Sequence, residues 1–570
     1  MPTISIFRED FESLVAGGTR PKRSTTMERL DDWLMLVKGE LKEHVAETGE
    51  LRIELQDSNR PDLWCCEGIA RQIRIKQEGK LKPYTFFSRK PTRRVIVGPG
   101  MENVRPYVAA CIAKGYRVSS EGLAQLIQTQ EKLADIYGHK RKTVSIGVYQ
   151  LQRIQFPVTY ELVKPDEARF TPLGMETVMT LSEVLMVHPK GLEHGHILAG
   201  HERMPILRDA GQQVLSFPPI INSREIGEVQ PGDDQLFVEV TGTDLSMVVL
   251  TLNIFAANLA DRGAAIEPIE VVYPKRTSLG KRVVTPQDLG QSRTVPIKTI
   301  EQALGQKLGA QAVKQALQVY GYEVTGGDGS VRAKLPPYRQ DLMHAMDVVE
   351  DVAISRGYVE FSPVMPAQFT VGGLSKIEQT SDRARNFMVG MGFQEIISNI
   401  LGSPEQYRDW MRLAGSPWGE TVEVENVMSL NFSCLRQWML PSLLRVEAAS
   451  SRAFYPHRLF ESGDVAIPDP NHELGSRTET VLGAMIAHAA AHFSEIHSCL
   501  DMLFYHFGKD YRLEPVAHPS FLEGRAGNIS VDGDTLGVIG EVHPEVLERW
   551  QIGVPVVAFD VNLSRLLEHQ

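Results

Sequence analysis

One stretch limits what this 570-residue chain can fold into more than any other, QLFVEVTGTDLSMVVLTLNIFAANLAD, from Gln235 to Asp261. It opens with a period of two, Leu236, Val238 and Val240 alternating with Gln235, Phe237 and Glu239, which predicts a strand with two unlike faces. From Leu245 the period becomes helical, with Met247, Leu250, Ile254 and Ala257 on one stripe. The apolar run Val248–Ala260 contains Thr251, Asn253 and Asn258 and is too short to span a bilayer, so no membrane segment is expected. The start, MPTISIFREDFESL, carries acids where a secretion signal needs a basic flank and an apolar core. Five cysteines with no CxxC pair are no disulfide framework, and a reducing cytoplasm is expected.

The rest of the chain organises around this unit. At roughly 150 residues per domain the length suggests about four domains. With 42% hydrophobic and 23% charged residues, disordered, collagenous and coiled-coil chains are excluded. Residues 1–90 read as an N-terminal α/β domain with the strand Leu51–Gln56, the turn DSNRPD and the helix EGIARQIR. KPYTFFSRKPTRR, Lys82 to Arg94, reads as a proline-punctuated linker. Residues 91–275 alternate strands and helices, and VVYPKRTSLGKRVVTPQDLG, Val271 to Gly290, reads as a loop-rich boundary. Within 276–362, residues from about Pro296 to Tyr358 read helix, helix, hairpin, helix, a winged-helix-like module with its turn at Thr325–Ser330. Residues 363–570 begin with a helix, continue in strands and close with the Asp-Gly hairpin VDGDTLGVIGEV. The fold class expected is multidomain α+β.

Charge restricts function. Sixty Lys and Arg against 71 Asp and Glu give a net charge of −11, a poor stand-alone surface for nucleic acid. Among the acids, Asp347, Glu350 and Asp351 in LPPYRQDLMHAMDVVEDVAISRGY share one helix face, and Asp341 lies just upstream. Such a cluster suits a magnesium ion, which prefers carboxylate oxygens. Acids at a helix start that simply face water are the plain alternative, and spacing leaves both open. His188, His194, His196 and His201 complete no zinc spacing, and HAAAH lacks the glutamate of a zinc hydrolase. GxxxxGK[ST] and GxSxG are absent, and no clean GxGxxG follows a strand.

Taken in order, MPTISI, DSNRPDLWCCEGIAR, LSFPPIIN, VEVTGTD, the acidic helix, RLFESGDV, FLEGRAG and IGEVHPEVL resemble the phenylalanyl-tRNA synthetase β-subunit family in its shorter archaeal and eukaryotic-type form, over essentially the whole chain. The resemblance implies a B3/B4-type editing domain at 91–275 and a B5-type magnesium-binding module at 276–362. It also implies a catalytically silent class II synthetase-like antiparallel-sheet domain at 363–570. RLFESGDV then stands in the place of the second class II motif with Arg458, while VPVVAFDVNLSRLL lacks the Gly-rich strand-to-helix arginine of the third. Synthesis is thus expected in an α subunit, within an (αβ)2 heterotetramer acting on tRNA(Phe), with ATP as substrate of the assembled enzyme. The resemblance further places Leu207, Ser216, Asn222, Glu239 and Thr241 in a pocket that hydrolyses mischarged Tyr-tRNA(Phe). It makes Asp341, Asp347, Glu350 and Asp351 the Mg2+ ligands. A stand-alone tRNA-editing hydrolase and a winged-helix nucleic-acid-binding regulator remain the alternatives. Against them stand the size of the C-terminal region and the acidity around the candidate wing.

Overall fold

The strand expected at Gln235–Gly242 is an inner strand of a ten-stranded sheet, buried along its whole length after Gln235. The structure is a computed structural model that describes residues 2–18, 25–450 and 452–569. The chain divides into two units between Val364 and Met365.

In the first unit, β1 (Thr3–Phe7), β2 (Gly39–Val45) and β3 (Glu50–Leu55) form a small antiparallel sheet in the order β1-β3-β2. The large sheet begins with β4 (Arg93–Val97), β5 (Tyr107–Lys114), β6 (Val144–Gln150) and β7 (Val158–Val163). A two-stranded ladder, β8 (Arg169–Phe170) and β9 (Met179–Thr180), follows outside it. The sheet resumes with β10 (Met204–Arg208), β11 (Val214–Phe217), β12 (Ile221–Asn222), β13 (Gln235–Gly242), β14 (Ala265–Thr277) and β15 (Gly280–Thr285). Its order is β12-β11-β10-β7-β4-β14-β5-β13-β6, with β15 on β14. All its pairings are antiparallel except those of β4 with β7 and β14.

The two faces of β13 do what the alternation requires. Leu236, Val238 and Val240 share a core with Val248, Leu252, Phe255 and Leu259 of the Leu245–Asp261 helix, and with Ile69 and Ile73 of the Cys66–Glu78 helix. Phe237 belongs to a second core with Tyr149, Tyr160 and Leu207. The long helix starts where Asp244 accepts the Met247 N–H at 3.0 Å, an N-cap that stops the strand pattern from running on. A helix apolar nearly all round is stable here because sheet and N-terminal helix cover it from different sides.

Two expectations change. Val271–Gly290, read as a loop-rich boundary, is largely the β14–β15 hairpin, so the division at 275/276 falls inside a strand. The edge strand misleads because Lys281 and Arg282 face water there, as edge strands often require. The linker read at Lys82–Arg94 is packed structure. Phe86 is buried in the first core, the Tyr84 hydroxyl donates to Asp261 at 2.9 Å, and Arg93 opens β4.

Residues 292–358 give the expected helix, helix, hairpin, helix. The helices are Ile297–Leu304, Gly309–Gln318 and Ala345–Arg356, and the strands Ser292–Pro296, Glu323–Gly326 and Ser330–Lys334 form a three-stranded sheet. The second unit carries a seven-stranded sheet whose long strands, His457–Pro468, Ser476–Ala487, Val556–Asn562, Asp534–Val542 and Phe521–Val531, are antiparallel neighbours in that order. Asp532 at φ 50° and Gly533 at φ 96° turn the expected hairpin.

Asp261, at the end of the long helix, accepts from Arg71 Nε at 2.6 Å, Arg74 at 2.7 Å and Tyr84. Replacing it would strand the fully buried Arg71 guanidinium. Asp261→Ala should therefore cost about 3–5 kcal/mol, read as a lower urea midpoint for the first unit. A loss below 1 kcal/mol would show that the cluster is not what ties the two helices together.

Candidate functional site

At the β6 edge of the large sheet a cleft of about 390 Å3 opens. The Ser120–Lys132 helix, the turn between β11 and β12, and Glu239 of β13 enclose it. Register explains its chemistry: Ser216 of β11 pairs with Asn222 of β12, and Glu239 lies opposite Gly147 of β6. Ser216, Asn222 and Glu239, three of the five pocket residues expected, line the cleft together. The other two do not reach it. Leu207 is fully buried beside Ser216, its register partner on the neighbouring strand, and Thr241 is held by Arg105 and Ser145.

Glu239 is the centre of this arrangement. Its Oε1 accepts from the Tyr149 hydroxyl at 2.9 Å, whereas Oε2 is buried without a hydrogen-bond partner. The Ser216 Oγ is also buried without a partner. Burial pushes the Glu239 carboxyl up to about 7, against the Tyr149 hydroxyl and the Arg105 guanidinium, which both favour the anion. Gly147 makes room for this pair: a Cβ there would lie 2.1 Å from the Tyr149 hydroxyl and 2.5 Å from Glu239 Oε1.

The cleft also uses residues the sequence reading passed over. Arg105, 1% exposed, donates to Thr241, Ser145 and the carbonyls of Arg141 and Lys142. Burial lowers it to about 10. Arg141, at φ 68°, donates to the carbonyls of Pro219 and Ile220 and so braces the turn that forms one wall. The one signal in the sequence was Gly147, a glycine inside an apolar strand, which marks a close approach. Nothing near Tyr149 or Arg105 announced them.

The four acids expected to hold magnesium are brought to one region but not to one point. Arg339 pairs with Asp341 at 2.6 Å and with Asp351 at 2.7 Å. Burial alone would raise Asp341, yet Arg339 and Arg60 beside it hold it below the ordinary range. Asp351 also accepts from Tyr322 at 2.6 Å. Asp347 caps its own helix by accepting the N–H groups of Met343 and His344, and Glu350 pairs with Lys38 at 2.5 Å. Among the described residues no group of three or more metal-binding side chains converges. The oxygen donors have the right chemistry for Mg2+, but each is engaged elsewhere, so they do not fit an ion held by this chain alone. Histidines follow suit: His188 caps the Pro189–His194 helix and His488 meets Glu495.

In the second unit Arg458, aligned with a phosphate-binding role by the resemblance, pairs with Glu495 at 2.8 Å. An arginine does follow the closing strand, Arg565, but without a glycine-rich approach and 3.6 Å from Glu479.

Two measurements test the site's electrostatics. A carboxyl titrating near 7 when folded and near ~4.3 when unfolded keeps a proton in the folded state that the unfolded chain has lost. Stability therefore falls as pH rises from about 4 to above 7, by about 4 kcal/mol in all. Glu239→Gln should remove that loss, becoming progressively more stable than wild type up to pH 8 in denaturant titrations; a pH-independent difference would contradict it. For the acidic helix, millimolar Mg2+ should leave the melting temperature of the isolated chain unchanged, while Asp347→Ala should cost about 1 kcal/mol through its lost cap. A rise of several degrees with Mg2+ would show that the carboxylates converge on the ion after all.

Comparison with known proteins agrees with this architecture. Residues 362–563 match the family model of the phenylalanyl tRNA synthetase beta chain CLM domain, and residues 293–358 match the tRNA synthetase B5 domain. A phenylalanine–tRNA ligase beta subunit of Thermococcus gammatolerans is 37% identical, covering 99% of each chain. Those of Pyrococcus horikoshii and Borrelia hermsii are 36% and 35% identical over the full length of both chains. The crystal structure of an N-terminal fragment of the Pyrococcus horikoshii phenylalanyl-tRNA synthetase beta subunit superposes with a TM-score of 0.59 at 34% identity, covering 63% of this chain and all of the fragment. With relatives at this identity along its entire length, and a cleft and acidic helix built from the motifs that suggested the resemblance, the chain belongs to the phenylalanine–tRNA ligase beta-subunit family.

Proposed function

We propose that this chain works as the β subunit of an (αβ)2 phenylalanine–tRNA ligase, supporting the α subunit and hydrolysing mischarged Tyr-tRNA(Phe) in the cleft around Glu239. ATP and Mg2+ are then requirements of the assembled enzyme, and the synthetic site belongs to the α subunit. Arg458 and Arg565 are each engaged by a glutamate within the second unit, which supports a silent role for that fold.

The observation that carries the editing reading is the free Oε2 of Glu239. A tyrosyl hydroxyl can donate to it, as the resident Tyr149 already donates to the other oxygen. A phenylalanyl ring cannot, and so leaves a buried acceptor unpaired at about 1–3 kcal/mol. Asn222 and Ser216, on the paired strands alongside, are placed to hold the ester and its attacking water.

Deacylation of purified Tyr-tRNA(Phe) tests this directly. Glu239→Ala should slow it roughly ten- to hundred-fold, with hydrolysis of Phe-tRNA(Phe) staying low and charging with phenylalanine by the α-containing enzyme intact. Asn222→Ala should slow the same hydrolysis without changing the preference. Unaltered deacylation in both variants would remove these residues from the reaction, and parallel loss of charging would make them structural. A solution mass of two copies of each chain on mixing with α separates the subunit reading from a free-standing hydrolase.

A further inference from the structure

The second unit holds a cleft of its own, about 360 Å3, to which neither the synthetic nor the editing reading gives a task. Its walls are aromatic. Trp418 and Trp438 flank His518, with ring centroids 4.8 and 5.4 Å from the imidazole. His518 is neutral at physiological pH, because burial lowers it to about 4. Val481, Leu536 and Val538 contribute apolar surface.

Two buried polar groups line this cleft, and one of them has no partner. The Trp438 side chain is nine-tenths buried, and its indole N–H has no hydrogen-bond partner. Asp560, 8% exposed, accepts the N–H of Met439 at Oδ2 over 2.7 Å, and the backbone of Leu440 also favours its anion. Met439 directly follows Trp438, so the backbone that anchors Asp560 also carries the indole, and both side chains line the cleft. Burial pushes the Asp560 carboxyl up to about 7. A buried indole N–H left unpaired is costly, and such a group in a native cleft asks for a ligand acceptor.

The complement of a fixed N–H, a neighbouring carboxyl and flat aromatic walls is a planar heterocycle that presents an acceptor and a donor side by side. The remaining charges limit what that ring can carry. Glu420, Glu479 and Asp560 line the cleft against a single arginine, Arg565, itself paired with Glu479. A polyphosphate entering here would meet carboxylates. We propose that this cleft binds an uncharged nucleoside, its base edge bonded to Trp438 and Asp560 and its face against Trp418, as a ligand site without catalysis.

Adenosine is the probe, titrated into the full chain by calorimetry with tryptophan fluorescence as a second readout. One site per chain is expected, with ATP binding more weakly than adenosine. Trp438→Phe keeps the ring and removes only the N–H, and should weaken adenosine about ten-fold. Asp560→Asn retains an acceptor for the Met439 N–H and should weaken it by a similar factor. Melting of both variants is followed in parallel, and Trp438→Phe, the milder change, decides the matter if Asp560→Asn unfolds. No adenosine binding up to several millimolar, equal binding by Trp438→Phe, or tighter binding of ATP than of adenosine would each overturn the proposal.

Discussion

A guanidinium taken out of water costs several kcal/mol unless carboxylates or several carbonyls replace its hydration, and the first unit is built around satisfying that requirement. Arg262 joins Asp10 and Glu67. Arg71 joins Asp261, Arg60 pairs with Asp62 at 2.8 Å, and Arg339 bridges Asp341 and Asp351. The Arg262 and Arg71 pairs connect the N-terminal helices to the end of the long helix, elements far apart in sequence, whereas Arg60 and Arg339 hold acids close to them in the chain. Removing either partner is worse than removing both, so the Arg262 and Arg71 pairs hold the N-terminal helices and the long helix in one arrangement.

The cleft is where that pairing rule is relaxed. Arg105 is as buried as any of these arginines, but it is satisfied by hydroxyls and carbonyls, with no carboxylate in hydrogen-bond contact. Glu239, the nearby carboxyl, takes a phenol instead of a cation. The two feel each other electrostatically, since Arg105 favours the Glu239 anion. They nevertheless stay unpaired, and each titrates away from its ordinary range. Perturbed titration without a structural ion pair is the mark of a site kept ready for something else.

Legibility in the sequence followed the range of the interaction. β13 and the helix after it were readable because alternation and helical spacing are local, and the same alternation singled out Glu239. The acidic helix was readable as a shared face, Asp347, Glu350 and Asp351. The fate of those acids was not, because Lys38 lies 312 positions from Glu350 and Arg339 folds back from an irregular segment. Tyr149 was hidden for the same reason: in SIGVYQ it reads as one more strand aromatic, and its hydrogen bond crosses 90 positions. The β14–β15 hairpin was lost to its own surface chemistry, since an edge strand with outward lysine and arginine resembles a loop in composition.

In the proposed editing reaction the raised titration of Glu239 also bears on how selection works. A buried carboxylate ionised at all times would pay its desolvation cost whenever the cleft is empty, and the fold would carry that burden continuously. A carboxyl that titrates near 7 escapes much of it by holding a proton until a donor arrives. The tyrosyl hydroxyl then supplies the donor that favours the anion, the proton passing to solvent, while a phenyl ring supplies none and leaves Oε2 without a partner. Discrimination is correspondingly gentler than a permanent anion would give, and stability is preserved. Tyr149 sets this balance: by donating to Oε1 it lowers the cost of the anion, and by occupying that oxygen it leaves Oε2 as the acceptor still without a partner.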